Sequence, residues 1–158
     1  MIHSGKNVPI VKTVNGDRMK PGEFFAVETF GTTGKGYVVD DGQSSHYMLS
    51  KTPRQPKHPR GKTMFDCIQK HFHTLPFARR YLMDALVWDA NHKVNVDQAL
   101  MAPSGAALGL SLNQLVKEGI VDSYPPLVDE RGSFVSQFEH TIAIHENGVE
   151  NLTIDKDY

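Results

Sequence analysis

The sequence is poor in cysteine, in long apolar runs and in net charge. Cys67 is the single cysteine, so no disulfide can form within the chain, and a reducing cytosol is the simplest compartment. Seventeen basic and eighteen acidic residues leave a formal charge of −1, which excludes a general attraction to nucleic acid or anionic membranes. No stretch has the length of a membrane span or the apolar centre of a signal peptide. We therefore expect a cytoplasmic protein that does not enter a membrane.

The 158 residues fall into three segments that together suit one globular domain. Residues 1–61 are predicted to form strands in VPIVK (8–12), GEFFAVETFG (22–31) and YVVDDGQSSHYML (37–49). Residues 62–128 are predicted to be mainly helical, and residues 129–158 return to strand. Because strands, helices and strand follow each other in blocks, the pattern indicates an α+β fold.

The helical segment shows three periodic patterns. They involve Phe65, Ile68 and Phe72, then Phe77, Tyr81 and Leu82, and finally Leu108, Leu112, Leu115 and Val116. Gly119 is predicted to end the last helix as a C-cap. The proline-rich residues 51–62 are predicted to form a solvated connector, and residues 89–104 lack a firm period and are predicted to be an irregular excursion.

Two glutamates interrupt apolar strand patterns. Glu28 lies in GEFFAVETFG, and Glu139 lies in SQFEHTIAI (136–144). An unpaired ionised carboxylate is costly to bury, so Glu139 must lie at a wet edge, be paired, or bind a cation. If one sheet brings the two glutamates together, a shared proton or a divalent cation relieves their repulsion. The pattern by itself favours an exposed edge over a metal site.

Other chemistry in the sequence is weaker. GTTGKG has two residues between its first glycines instead of four, and glycine follows its lysine, so it is not a Walker phosphate loop. His71 and His73 are two residues apart on a predicted helix, point to nearly opposite sides, and are expected to be surface groups. Cys67 lies in MFDCIQKHF on the same helix and is expected to be structural.

Six sequence blocks, in order along the chain, carry a resemblance to a known family. They are IHSGKNVPIVK, ETFGTTGKG, DDGQSSHYM, GIVDSYPPL, QFEHTI and the terminal DKDY. From residue 2 to Tyr158 the chain resembles the C-terminal half of the catalytic domain of type 2 methionine aminopeptidases. The helical block between the two glutamate strands is similar to the insertion that type 1 enzymes lack.

The resemblance implies a pita-bread α+β fold around two divalent metal ions: manganese, cobalt or iron, with zinc as an alternative. Glu28 and Glu139 correspond to two of the five ligands. The other three, two aspartates and a histidine, belong to sequence upstream of residue 1. His3 corresponds to a catalytic histidine that contacts the substrate near the scissile peptide. The pocket for the methionine side chain corresponds to Ile2, Phe30, His46 and Tyr124.

The implied activity is removal of the initiator methionine from nascent proteins, with ribosome association as a further expectation. Since the N-terminal half of the catalytic domain is missing, the resemblance predicts that this chain alone is inactive and that the missing half is its partner. Two alternatives stay open: a non-catalytic pita-bread binding protein of the proliferation-associated type, and a winged-helix nucleic-acid module in residues 62–128. The second is weakened because its candidate recognition helix, AALGLSLNQLVKEG, carries a single lysine.

Overall fold

The structure is a computed structural model that describes residues 5–14 and 16–156, and in that part the chain folds as two compact units. The helical unit is Asp40–Pro126. The sheet unit consists of residues 5–14 and 16–39 together with residues 127–156. The insertion subdomain that the sequence places at residues 62–128 stays a prediction.

The described residues contain eight strands, three α-helices and one 3-10 helix. The strands are β1 (Phe24–Thr32), β2 (Val39–Asp40), β3 (His46–Leu49), β4 (Phe77–Ala78), β5 (Val121–Tyr124), β6 (Leu127–Val128), β7 (Val135–His145) and β8 (Gly148–Asn151). The helices are α1 (Pro59–His71), α2 (Arg79–Asn91), the 3-10 helix Gln98–Met101 and α3 (Ala106–Lys117). A membrane-spanning helix needs a long apolar stretch, and none of the helices among the described residues provides one.

The helical unit holds the hydrophobic core. Its three strands form an antiparallel sheet in the order β4-β3-β5, and the three helices contribute most of the buried side chains. The core residues are Tyr47, Leu49, Met64, Phe65, Cys67, Ile68, Phe77, Leu82, Leu86, Val96, Leu100, Leu108, Leu112, Leu115, Ile120 and Val121. This core confirms the apolar faces that the helical spacing predicts around Phe65 and Leu112. In the pattern of Phe77, Tyr81 and Leu82 the prediction is wrong for Tyr81, which is 50% exposed.

Helix α3 shows how local sequence sets the ends of an element. Its buried residues Leu108, Leu112 and Leu115 recur every three or four positions, so they share one face. Gly119 follows the helix with a φ of 67°, a left-handed conformation that costs glycine little. The amides of Gly119 and Ile120 then bond the carbonyls of Val116 and Leu115, at 2.9 Å each, which satisfies the last turn. The predicted C-cap glycine is confirmed.

The sheet unit is built from β1, β7 and β8, which pair antiparallel in the order β1-β7-β8. Among its described residues only Asp129 and Ala143 are buried. Large apolar side chains are exposed instead, and they include Phe24, Phe30, Phe134, Val135, Phe138 and Val149. The strands therefore present an extensive apolar surface to solvent.

Two of the strand predictions are wrong. Residues 8–12 form no strand, since Pro9 has no amide hydrogen to pair and the Ile10 and Val11 side chains are exposed. The predicted strand over residues 37–49 is broken into β2 and β3. Between them Gly42 adopts a φ of 92°, which turns the chain.

Three boundaries in the helical block also differ from the prediction. Helix α1 begins inside the predicted connector, because Pro59 fits a first helical turn, where its missing amide hydrogen is not needed. Phe77 and Ala78 form β4, and α2 begins only at Arg79. The excursion at residues 89–104 contains the end of α2 and a 3-10 helix. Asp97 caps that 3-10 helix by accepting a hydrogen bond from the Ala99 amide.

Candidate active site

The two glutamates of the sequence analysis lie directly opposite each other in the sheet unit. In the antiparallel register of β1 and β7, Glu28 pairs with Glu139. Directly opposite residues share a face of the sheet, and their Cβ atoms lie about 5 Å apart. The structure therefore brings together two carboxylates from strands that are far apart in the sequence.

The surroundings of the two carboxylates differ. Glu28 is half-buried, and its Oε1 accepts a hydrogen bond of 2.8 Å from Nε2 of Gln137 on the same sheet face. Glu139 is exposed. The sequence left Glu139 three possibilities: a solvated position, a paired one, or a bound cation. In this chain the residue is solvated. A carboxylate pair of this kind offers hard oxygen ligands, which are the donors that manganese and similar divalent ions accept.

A cavity of about 350 Å³ lies beside Glu28 in the sheet unit. Residues 7–11 form one wall, and Ala26, Glu28 and Phe30 of β1 form the other. These β1 residues alternate along the strand and therefore share its face. Its lining combines apolar residues with the polar groups of Asn7 and Glu28, in about equal extent. Such a mixed lining suits an apolar side chain attached to a polar group.

His46 and Tyr124 are paired within the helical unit. They lie opposite each other in the antiparallel register of β3 and β5. The hydroxyl of Ser45 lies 2.9 Å from Nδ1 of His46, and the Tyr124 hydroxyl lies 3.9 Å from the Met48 sulfur. His46 also borders a cavity of about 460 Å³ whose lining includes Arg79, Met83 and Leu108.

The other residues predicted for the site are placed less completely. Phe30 lies on β1, is exposed and lines the cavity beside Glu28. Ile2 and His3 lie outside the described residues. The metal-binding, catalytic and substrate-binding roles assigned to these seven residues stay predictions.

Asp129 is a residue whose role the sequence analysis missed. Its carboxylate accepts hydrogen bonds from the Thr32 hydroxyl at 2.9 Å and from the Lys35 and Gly36 amides at 3.1 and 2.9 Å. The Glu130 amide adds a fourth bond of 2.6 Å. The amides of Glu130 and Gly36, with smaller contributions from Thr32 and Lys35, outweigh the opposing effect of burial and lower the pKa of Asp129 to about 2.

Asp129 explains the GTTGKG loop that follows β1. The loop wraps around a carboxylate of its own chain, and Gly34 approaches so closely that an added Cβ would lie 2.6 Å from the carboxyl carbon. The end of the strand that carries Glu28 is thereby fixed. The signal in the sequence is an acidic residue at the start of a turn, VDERGS, but its partner loop is distant in the sequence.

Comparisons with known proteins bear on the whole chain. It is 43% identical over 160 residues to a protein named Methionine aminopeptidase 2 from Candida albicans, an alignment that covers all of this chain and 32% of that protein. A Methionine aminopeptidase 2 from Lodderomyces elongisporus is 44% identical, with 30% of its length covered. Methionine aminopeptidase 2-2 of Aspergillus terreus is 43% identical, with 32% covered. No model of a protein family matches the sequence.

A solved structure described as a thermophilic Arx1 matches 93% of this chain and 35% of its own, with a TM-score of 0.68 and 18% sequence identity. That likeness concerns the fold. With the relatives it supports the pita-bread arrangement, which the α+β content of the structure fits. The resemblance to type 2 methionine aminopeptidases is confirmed along the chain, and the chain spans about one third of the length of these relatives.

Proposed function

We propose that the chain is the C-terminal half of the catalytic domain of a type 2 methionine aminopeptidase, which removes the initiator methionine from nascent proteins in the cytoplasm. The observation that carries this proposal is the pairing of Glu28 with Glu139, because those are the two residues that the resemblance assigns to the metals. Identity of 43% over the whole chain supports it.

The donor set fits divalent cations. Two carboxylates on one sheet face repel each other. A cation that both carboxylates bind would neutralise their negative charge and so remove that repulsion. Glu28 and Glu139 would hold two ions together with ligands from sequence outside this chain. When bound, the ions polarise the scissile carbonyl and lower the pKa of a water molecule.

The remaining steps are assigned to side chains of this chain. Phe30 follows Glu28 by two positions, so both point to the same face and lie about 7 Å apart along the strand. A methionine side chain against Phe30 would direct its carbonyl carbon toward the carboxylate pair. The apolar walls from residues 8–11 suit an unbranched thioether.

Four other residues are proposed to contact the substrate on the strength of the resemblance. His3 would donate a hydrogen bond to the substrate near the scissile peptide, and Ile2, His46 and Tyr124 would contact the methionine. The helices between β3 and β5 are proposed to form the type 2 insertion, and the ribosome is a proposed partner.

The alternatives explain less. A non-catalytic pita-bread protein has no need of two glutamates in register, whose repulsion opposes strand pairing. A winged-helix nucleic-acid module would need cations on its recognition helix, and α3 carries only Lys117.

The proposal predicts that this chain alone does not cleave peptides, because two ligands out of five leave the ions mostly hydrated. The purified chain is assayed on Met-Ala-Ser with added Mn²⁺ or Co²⁺, first alone and then mixed with the separately expressed N-terminal remainder. Turnover only on mixing, or only in the joined protein, supports the proposal. Robust turnover by the chain alone contradicts it, as does an inactive joined protein that folds and binds two ions.

A further inference from the structure

A second set of metal-ligand atoms lies in the helical unit, on α1 and α2. The Asp89 carboxylate is buried, with 2% of the residue exposed, and its Oδ1 lies 2.9 Å from Nε2 of His71. Cys67 is buried beside it, and the ligand atoms of Cys67, His71 and Asp89 all lie within 4.8 Å of one another. The expectation that His71 is a surface group is therefore wrong, since its ring turns inward to Asp89.

Helix geometry accounts for this convergence. Cys67 and His71 are four residues apart on α1, so they lie on the same face one turn from each other. Asp89 reaches that face from α2, which packs against α1. His71 is the last residue of α1, where the helix dipole favours a positive charge.

We propose that Cys67, His71 and Asp89 bind one zinc-type ion, with water in the fourth position. A thiolate, an imidazole and a carboxylate are the three donors that zinc accepts, and zinc sites with three protein ligands retain water as the fourth. Unlike Glu28 and Glu139, this set includes sulfur, so it selects a softer ion. The inference does not depend on the proposed aminopeptidase activity.

Without the ion, protonated groups surround the same three ligand atoms. Lys70 Nζ donates to Asp89 Oδ1 at 2.6 Å, and the buried Cys67 thiol lies close to that carboxylate. Burial, reinforced by Asp89, raises the pKa of Cys67 to about 12, so the thiol is protonated. Burial also favours protonated Asp89, but hydrogen bonds from Lys70 and His71 prevail and lower its pKa.

Binding exchanges these protons for the ion. The thiol proton is released to water as the sulfur–metal bond forms, and His71 presents Nε2 to the ion while its ring proton resides on Nδ1. Lys70 must leave Asp89 because its charge repels the ion. The Lys70 side chain is half-exposed, and its ammonium group already lies over the Trp88 ring, 4.9 Å from the centroid. Lys70 can therefore keep this cation–π contact after it leaves Asp89.

Titration of the 158-residue chain with Co²⁺ tests this site, because a cobalt–thiolate bond gives an absorption band in the near ultraviolet that carboxylates do not give. We expect the band to saturate at one Co²⁺ per chain. Added Zn²⁺ should displace the cobalt and remove the band. Cys67→Ser should abolish the band, with circular dichroism as the check of folding. A variant with both Glu28→Gln and Glu139→Gln should retain it.

Lys70→Met provides an independent arm that does not alter a ligand. Removing the competing ammonium should tighten cobalt binding about tenfold, since the like charge lies within a few ångströms of the ion. Absence of the band in the unaltered chain would overturn the proposal. So would an unchanged band in folded Cys67→Ser, or weaker binding in Lys70→Met.

Discussion

Glu28 and Glu139 occupy directly opposite positions on β1 and β7, so two acidic side chains face the same side of one antiparallel sheet. Like charges in that arrangement weaken strand pairing. Gln137 relieves Glu28 by donating one hydrogen bond, but it adds no positive charge. This arrangement supports the proposal that the pair is a ligand set, because bound cations would remove the repulsion.

This repulsion is measurable in the metal-free chain. Glu139→Gln should strengthen the pairing of β1 with β7 by roughly 0.2–1 kcal/mol, because it removes one of two like charges. Amide hydrogen exchange of the β1 and β7 residues should then slow up to about fivefold at pH 7. Glu146→Gln, in the turn after β7, removes the same charge away from the pair and serves as the control. Equal slowing in both variants would show that only net charge matters.

The loop after β1 should depend on pH through Asp129. Its folded pKa of about 2 lies below the ordinary value of 3.8, so its contribution is complete above pH 4 and is lost as the pH falls toward 2. The amide signals of Lys35 and Gly36, which donate to the carboxylate, should shift with a midpoint near pH 2. Asp129→Asn should remove that titration. A midpoint near 4 would contradict the role given to these hydrogen bonds.

Gly34 should resist replacement for a steric reason. In Gly34→Ala the new Cβ would lie 2.6 Å from the Asp129 carboxyl carbon, so either the loop or the carboxylate must move. The amides of Lys35 and Gly36 should then exchange much faster with solvent than in the unaltered chain. Gly5→Ala is the control, because no atom lies within 4 Å of its added Cβ. Unchanged exchange in Gly34→Ala would mean that the loop accommodates a methyl group without losing its bonds.

The stability of the helical unit should depend on the buried face of α3. Leu112 is fully buried and Leu110 is 72% exposed, although both lie on the same helix. Leu112→Ala should lower the free energy of unfolding of this unit by roughly 2–5 kcal/mol, and Leu110→Ala should change it by less than about 0.5 kcal/mol. Urea unfolding followed by the fluorescence of Trp88, the single tryptophan, measures both. Similar losses for the two variants would contradict the packing described for α3.

Local patterns predict the parts of the fold that depend on local chemistry. The alternation around Glu28 and Glu139 predicts β1 and β7, and the spacing of Leu108, Leu112 and Leu115 with Gly119 predicts α3 and its end. For residues 8–12 the local pattern gives a wrong prediction. Their apolar composition resembles a strand, but a strand also needs a partner with free amides, which composition does not reveal.

The candidate site shows the same contrast between local patterns, which the sequence reveals, and distant contacts, which it does not. Each glutamate stands out in its own strand, but the register of β1 with β7 decides that they meet, and that register depends on pairing between residues far apart in the sequence. The Cys67–His71–Asp89 cluster was missed because two of its members share α1 and the third comes from α2, which no spacing within α1 signals. Asp129 was missed for the related reason that its loop lies at the other end of the sequence.

The pairing of Glu28 with Glu139 as metal ligands for methionine removal is tested most directly in the full-length protein bearing Glu139→Gln. Bound metal is counted on the purified protein, and cleavage of Met-Ala-Ser is followed with Glu146→Gln as the matched control. We predict that Glu139→Gln lowers kcat/KM by roughly two orders of magnitude or more and reduces the metal content, because a neutral amide is a weaker ligand for divalent ions than a carboxylate. Near-normal turnover with two ions still bound to Glu139→Gln would contradict the account.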